Sequence, residues 1–412
     1  MHSHRRTACR LCGNARLACV LSLTPTPPAN ALVPASALEE RQDTYPLDVH
    51  LCGDCGHLQL LDVIDARVLF ENYLYVSGTS SIMVAHLRDY AARVIERLSL
   101  KPGDLVVEIG SNDGTLLGFF QRAGMRVLGV DPAREIAMQA TESGIETLAD
   151  FFTPALAARI RESHGPATAI CANNVFAHID DLKGVIRGVR NLLAPDGLFI
   201  FEVSYLLDVY EKRLFDTIYH EHLDYHRVEP LRRFFRENGM AFVDAQRVSM
   251  QGGSLRGFAK VANGSGEVGA AVDELQALER AAGLANPETF RRFAAQIDRR
   301  RVELTALLKC LKADGKTVAG YGAAAKSTTL MNQFGLGRDF IEFIVDDNPL
   351  KQGLYSPGLH VPVLPANALY ERRPDYVVVL AWNFAEEIIA AHVAFTQAGG
   401  RFVIPLPDLT IR

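Results

Sequence analysis

Between residues 80 and 260 the apolar positions switch repeatedly between two periods. Residues 83–98 space them at helical intervals, 105–109 form a short apolar run, 115–123 are helical again, and 127–130, 169–171 and 198–202 continue the series. Strand-like runs separated by helix-like stretches predict a parallel sheet with crossover helices. Residues 267–313 are charged and rich in Ala and Leu, and Pro287, after Asn286, divides them into two helices. A second alternation starts at Lys316, with strands at 317–320, 341–345, 376–381 and 401–404, a helix from about Ala323 and another over 386–397. That is the pattern of a smaller doubly wound domain. Residues 1–65 show little period, carry Pro25, Pro27, Pro28 and Pro34, and need a staple to hold a fold.

Composition narrows the class without fixing the chemistry. A chain of 412 residues predicts two or three domains. With 48% hydrophobic and 22% charged residues it is an ordinary globular protein rather than a disordered one. The net charge of -5 argues against a nucleic-acid partner, which needs clustered Lys and Arg. Arg5 and Arg6 precede an apolar stretch too short and too broken for a signal peptide, and no apolar run reaches the length of a bilayer span. The expectation is a cytoplasmic protein with no membrane partner, a monomer or weak oligomer.

The staple is written in the cysteines. Cys9-x-x-Cys12 and Cys52-x-x-Cys55 form two pairs, each able to present both sulfurs to one ion, and four thiolates in a tetrahedron suit structural Zn2+. Gly13, Gly53 and Gly56 supply permissive backbone beside them. Cys19 and His57 stand as substitute ligands, and free thiols or disulfides as the alternative to metal.

The first run of the central pattern ends in Glu108-Ile109-Gly110-Ser111-Asn112-Asp113-Gly114, a glycine turn between a strand and a helix. Asp131 ends the next strand, placed to accept from ribose hydroxyls. Nicotinamide dinucleotides and S-adenosylmethionine (SAM) both fit such a turn. Glu108 favours SAM, because a carboxylate would repel a diphosphate. Asp150 and Phe151, after the third strand, offer an acceptor and an aromatic face for adenine, although Phe151 and Phe152 also read as core. Asn173 and Asn174 fall at the carboxyl edge of the sheet, where ligands bind.

Tyr219-His220-Glu221-His222-Leu223-Asp224-Tyr225-His226 is the densest polar constellation. Three histidines in seven residues are hard to explain as core; a solvated loop or a second metal site using His222 and His226 are the other readings. In the last hundred residues Gly320-Tyr321-Gly322-Ala323-Ala324-Ala325-Lys326-Ser327 repeats the strand, glycine turn and helix start without a carboxylate. Its N–H groups, with Lys326 and Ser327, suit an anion such as a diphosphate. Asp347, Asn348 and Trp382 end later strands, where a sugar or base would lie; a bare scaffold is the plainer reading.

Taken in order, the Cys-x-x-Cys pairs, Glu-x-Gly-x-Asn-Asp-Gly, Asn-Val-Phe-Ala-His at 174–178, Tyr-His-Glu-His at 219–222 and the C-terminal Gly-Tyr-Gly-Ala-Ala-Ala-Lys resemble the deoxysugar C-methyltransferases over essentially the whole chain. The resemblance implies an α/β protein with a zinc-binding domain (1–70), a Rossmann-like SAM methyltransferase domain (71–265), a helical connector (266–314) and a Rossmann-like substrate domain (315–412). It makes His222 the general base, sets Tyr219, Glu221 and His178 beside it, and gives Tyr73, with Tyr75 as a close competitor, a contact to substrate. The substrate it implies is a nucleotide-linked 4-keto-deoxysugar, dTDP before GDP. His222 would take the C3 proton, Tyr219 or His178 would donate to the C4 oxygen, and the carbanion would take the methyl group of SAM. O- or N-methylation of a small metabolite, an NAD-dependent sugar oxidoreductase, and a zinc-ribbon or RNA-binding protein are the competing readings.

Overall fold

The computed structural model describes residues 3–71, 73, 76–262 and 268–412. Tyr75 and the expected boundary at 265/266 lie outside them.

A seven-stranded sheet forms the centre, in the order Met240–Val248, Ser254–Val261, Leu193–Ser204, Ala167–Asn173, Leu105–Ile109, Arg126–Val130, Thr147–Leu148. The five earlier strands are mutually parallel, because crossover helices such as Thr115–Arg122 and Leu182–Leu192 return the chain each time. Val106 and Val107 are both fully buried, so the strand is covered on its two faces. The expectation of a wholly parallel sheet fails at 240–261. Those two strands are joined by residues 249–253 alone, too short a link for a crossover, and they pair antiparallel with each other and with Leu193–Ser204.

The connector is two helices, Ala270–Ala281 and Pro287–Ala313, with Asn286 capping the second through its side chain and Pro287 in the first turn. Phe290, Phe293, Ile297, Leu304, Leu308 and Leu311 form its buried stripe, and the helix packs against the N-terminal strand Leu17–Thr26. A six-stranded sheet follows, in the order Val363–Leu364, Ile344–Val345, Val318–Tyr321, Tyr376–Val379, Arg401–Ile404, Thr410–Ile411. The expected helix over 386–397 is broken at His392 into Ala385–Ala391 and Val393–Gln397.

The N-terminal sheet is antiparallel and contains a strand from elsewhere. Its order is Asp224–Tyr225, Leu58–Leu60, Tyr45–Cys52, Leu17–Thr26. The edge strand thus comes from within the histidine-rich motif, and periodicity gives no hint of it. Among the described residues no helix is long and apolar enough to cross a membrane.

Candidate active site

The four paired cysteines meet. Their sulfurs lie within 4.8 Å of one another, with Cys9 Sγ 3.7 Å from Cys55 Sγ and Cys12 Sγ 3.6 Å from Cys52 Sγ. A tetrahedron with Zn–S bonds of about 2.3 Å has edges of about 3.8 Å, so the donor set fits one zinc ion with no open position for substrate. The turns close by equivalent bonds, Gly13 N–H to Cys9 O at 2.9 Å and Gly56 N–H to Cys52 O at 3.0 Å. Neither substitute ligand joins them: Cys19 is exposed, and His57 turns its Nε2 to Asp224 Oδ1 at 2.6 Å.

A cavity of about 580 Å3 is walled by the N-terminal, central and C-terminal parts together. Its central wall is the glycine turn after Leu105–Ile109. Gly110 adopts φ 69°, and a side chain there would run into Val175 at 3.0 Å. Asp131 accepts from Asn112 N–H at 2.8 Å and Ala133 N–H at 2.9 Å, which fixes the turn while the carboxylate still lines the cavity. Burial pushes the Glu108 carboxyl well above its usual range, with Asp113 and Asp131 adding to the shift against a contact from Asn173. Oε2 of Glu108 and both side-chain amide atoms of Asn173 are buried without a hydrogen-bond partner. The buried acceptors of that set, beside an acidic group, fit the ammonium and sulfonium of SAM.

The remaining residues read for the cofactor divide. Asp150, Phe151 and Asn174 line the cavity. Phe152 is buried against Gly188 and lines the cavity as well. Asn112 and Asp113 also line it, but their side chains accept from Ser77 N–H at 2.9 Å and Gly78 N–H at 2.8 Å and so pin the Ser77–Thr79 turn. Gly114 is the N-cap of Thr115–Arg122, φ 75°, packed under Ile145, and is not part of the wall.

Opposite the cofactor wall, His222 Nδ1 lies 2.7 Å from Thr217 O. A carbonyl only accepts, so Nδ1 carries the proton and Nε2 presents its lone pair, into which Tyr219 O–H donates at 2.9 Å. Burial lowers the His222 pKa to about 4, with Lys326 adding to the shift against the Thr217 carbonyl, so the ring is neutral near pH 7. His178 stacks on His222 with ring centroids 5.0 Å apart and on Phe70 at 5.6 Å. Burial holds its pKa well below the usual value, and its Nε2 has no partner. Glu221 is differently placed: Asn30 Nδ2 donates to one oxygen at 2.7 Å and Tyr73 O–H to the other at 3.1 Å. Its pKa rises to about 7 through burial, but it touches no imidazole and does not line the cavity.

The C-terminal wall is cationic. Ala325–Phe334 starts at the glycine turn with Lys326 in its first turn, and Lys326, Asn348 and Lys351 line the cavity. Lys326 donates to Gln251 O at 3.1 Å and neighbours the buried Asp216. Three residues read as substrate contacts lie elsewhere. Ser327 is buried and donates to Ala324 O at 2.6 Å; Asp347 accepts from Tyr321 O–H at 2.8 Å; Trp382 donates its indole N–H to Asp216 Oδ2 at 2.6 Å. None of the three lines the cavity.

Family models match three consecutive stretches: a zinc binding domain at 9–70, a methyltransferase domain at 83–245 and a C-methyltransferase C-terminal domain at 249–407. The C-methyltransferase NovU of Streptomyces niveus is 41% identical over 97% of this chain and 95% of its own. The chain belongs to the C-methyltransferases. Its methyl donor is SAM and its paired cysteines are a structural zinc site. The ubiquinone biosynthesis O-methyltransferase of Burkholderia pseudomallei is 25% identical over 36% of this chain and 69% of its own. Magnesium protoporphyrin IX methyltransferase of Synechocystis, solved with bound SAM, is 19% identical over 43% of this chain and 80% of that one, TM-score 0.32.

The histidine cluster is less uniform than its sequence suggests. His220 is fully buried with Nε2 3.2 Å from Tyr45 O. His226 is fully buried, stacked on Phe176 and His57. Both are core, so two of the three histidines need no catalytic explanation, and only His222 of the three lines the cavity. Residues 218–223 are loop and 224–225 strand rather than helix, which removes the shared helix face that the reading of a second metal site needs. Sequence reasoning missed Asn30, Thr217, Asp180 and Lys351. Asn30 and Asp180 are unremarkable loop residues in sequence, Thr217 acts through its carbonyl, and Lys351 has no motif around it.

Proposed function

We propose that this C-methyltransferase methylates the carbon next to the ketone, C3, of a nucleotide-linked 4-keto-deoxysugar, with His222 as the base. The observation that carries the reading is the His222 ring: Nδ1–H locked on Thr217 O and Nε2 directed to Tyr219 inside a cavity with an acidic and a cationic wall. A C–H bond beside a carbonyl is a weak acid, and a neutral imidazole removes its proton only where charge developing on the oxygen is stabilised. The unpartnered Nε2 side of His178 stands next to that ring as a donor for the C4 oxygen, and Tyr219 O–H becomes a second donor once substrate draws it off His222 Nε2, which frees the lone pair of the base. Lys326 adds a positive charge near His222. Glu221 has both oxygens engaged and serves to hold Asn30 and Tyr73 at the cavity wall. Bound SAM supplies an electrophilic methyl group on sulfur. Lys326, Asn348, Lys351 and the N-terminus of Ala325–Phe334 suit the substrate diphosphate.

Incubation with SAM and a panel of 4-keto nucleotide sugars, read by mass spectrometry, tests the substrate class. Transfer to carbon is expected, with exchange of one substrate hydrogen for solvent deuterium when SAM is withheld. His222→Ala should lower turnover by about 10^2- to 10^4-fold, the range for a positioned base, with SAM affinity unchanged. Methylated oxygen or nitrogen without exchange at carbon would overturn the reading.

A further inference from the structure

A zinc knuckle needs four sulfurs and two tight turns; this one also carries two buried polar side chains directed at the segment that follows His222. Arg10 lies between the ligands Cys9 and Cys12, and its side chain is fully buried. Its Nη1 donates to Leu60 O and, at 3.3 Å, to Leu223 O, and stands 3.8 Å from Asp224 Oδ1. Its Nε donates to Asp180 Oδ1 at 3.0 Å, on the cofactor side of the cavity. His57, two residues past Cys55, brings Nε2 to 2.6 Å from Asp224 Oδ1. Further along, Arg227 Nε donates to Gly56 O at 3.1 Å, and a side chain on Gly56 would collide with that guanidinium. Leu60 N–H donates to Leu223 O at 2.9 Å, which ties the Asp224–Tyr225 strand into the zinc-domain sheet.

A guanidinium with no exposed surface carries a desolvation cost that a leucine of similar volume would avoid. A fork reaching two carboxylates and two carbonyls fixes direction, which packing alone does poorly. We propose that Arg10 and His57 are positioning residues that couple the metal-held turns, through Leu223 and Asp224, to the orientation of the His222 ring. The proposal rests on the reading of His222 as the base.

The other end of the same loop is contacted by a reporter. Trp382 is the sole tryptophan, and its indole donates to Asp216, next to the Thr217 carbonyl that holds His222. The test compares zinc-loaded Arg10→Gln, Arg10→Lys and His57→Gln with wild type for kcat, KM toward a dTDP-linked 4-keto-deoxysugar, SAM affinity, zinc content and Trp382 emission. In Arg10→Gln, kcat should fall about ten- to a hundredfold, the cost of a small misplacement of a reacting group. KM, SAM affinity and zinc content should stay at wild-type values, with the emission of Trp382 shifted. His57→Gln should shift both in the same direction by less. Arg10→Lys, which restores charge but not the fork, should recover part of kcat. Unchanged kcat and emission in Arg10→Gln overturn the proposal, and so does a joint loss of kcat, SAM affinity and zinc, which marks Arg10 as scaffold only. If His222→Ala itself retained turnover, the base assignment would fall, while the Trp382 emission of Arg10→Gln would still decide whether knuckle and loop are coupled.

Discussion

In the central half, Gly110 N–H donates to Val130 O at 2.8 Å and the neighbouring Asp131 accepts from Asn112 and Ala133 N–H groups. In the C-terminal half, Gly322 N–H donates to Val345 O at 2.8 Å, and the neighbouring Asp346 accepts from Ala323 N–H at 2.7 Å and Asn348 N–H at 2.9 Å. Both glycines have positive φ, 69° and 96°. The backbone device is therefore the same on the two sides of one cavity, and the side chains added to it differ in sign. Glu108 and Asp131 face the cavity from one half, Lys326 and Lys351 from the other. Fold alone would not tell the acidic wall from the cationic one.

The comparison breaks most sharply at the two aspartates. Asp131→Ala should weaken SAM by up to about a hundredfold, since it removes a carboxylate that lines the cavity, and one lost hydrogen bond to a charged group is worth about 1.5–3 kcal/mol. Nucleotide-sugar affinity should be unaffected, and Asp346→Ala should do the reverse. Calorimetry that found both ligands lost in either variant would mean that the halves do not act separately.

A smaller effect is expected from the wall charges. Burial pushes the Glu108 carboxyl well above its usual range in the free protein, and a bound cation favours its ionised form. SAM binding should then be coupled to proton release and tighten as pH rises, which titration calorimetry in buffers of different ionisation enthalpy would detect. Glu108→Gln should remove the proton release and cost about tenfold in affinity. Lys326→Met should instead weaken the nucleotide sugar and flatten its salt dependence, with SAM unaffected.

Stability should fall on the acid side because of the buried imidazoles. His220, His222 and His226 are each lowered from 6.5 to about 4, mainly by burial. The unfolded chain takes up their protons first, so their contribution is whole above pH 6.5 and lost as pH falls toward 4. Glu221, raised from 4.5 to about 7, works against them: its contribution is whole below 4.5 and lost as pH rises through 7. Taken by themselves the three imidazoles outweigh Glu221, and the melting temperature should drop between pH 6.5 and 4. A flat profile there would show that the imidazoles are not desolvated.

The mildest change is Trp382→Phe. It leaves Asp216 Oδ2 without its indole donor, and a lost bond to a buried acceptor costs about 1–3 kcal/mol. Calorimetric melting should show a small decrease with SAM affinity intact.

Local rules written in the sequence were sufficient for the zinc turns, the two glycine turns and the long connector, because each depends on residues close together in the chain. Cys-x-x-Cys pairs, a glycine after a strand, and a proline after an asparagine act within a few residues and survive any tertiary setting. Which histidine faces the cavity did not follow from spacing. His220, His222 and His226 look equivalent in a row, and only the packing of His220 under Tyr45 and of His226 on Phe176 separates them. Trp382 and Asp347 ended their strands where a ligand would lie, but each found a closer partner in another element. The pairing of Asp224–Tyr225 with the zinc-domain sheet joins residues more than 160 positions apart. Contacts of that separation depend on how three domains dock, and short-range periodicity contains no record of docking.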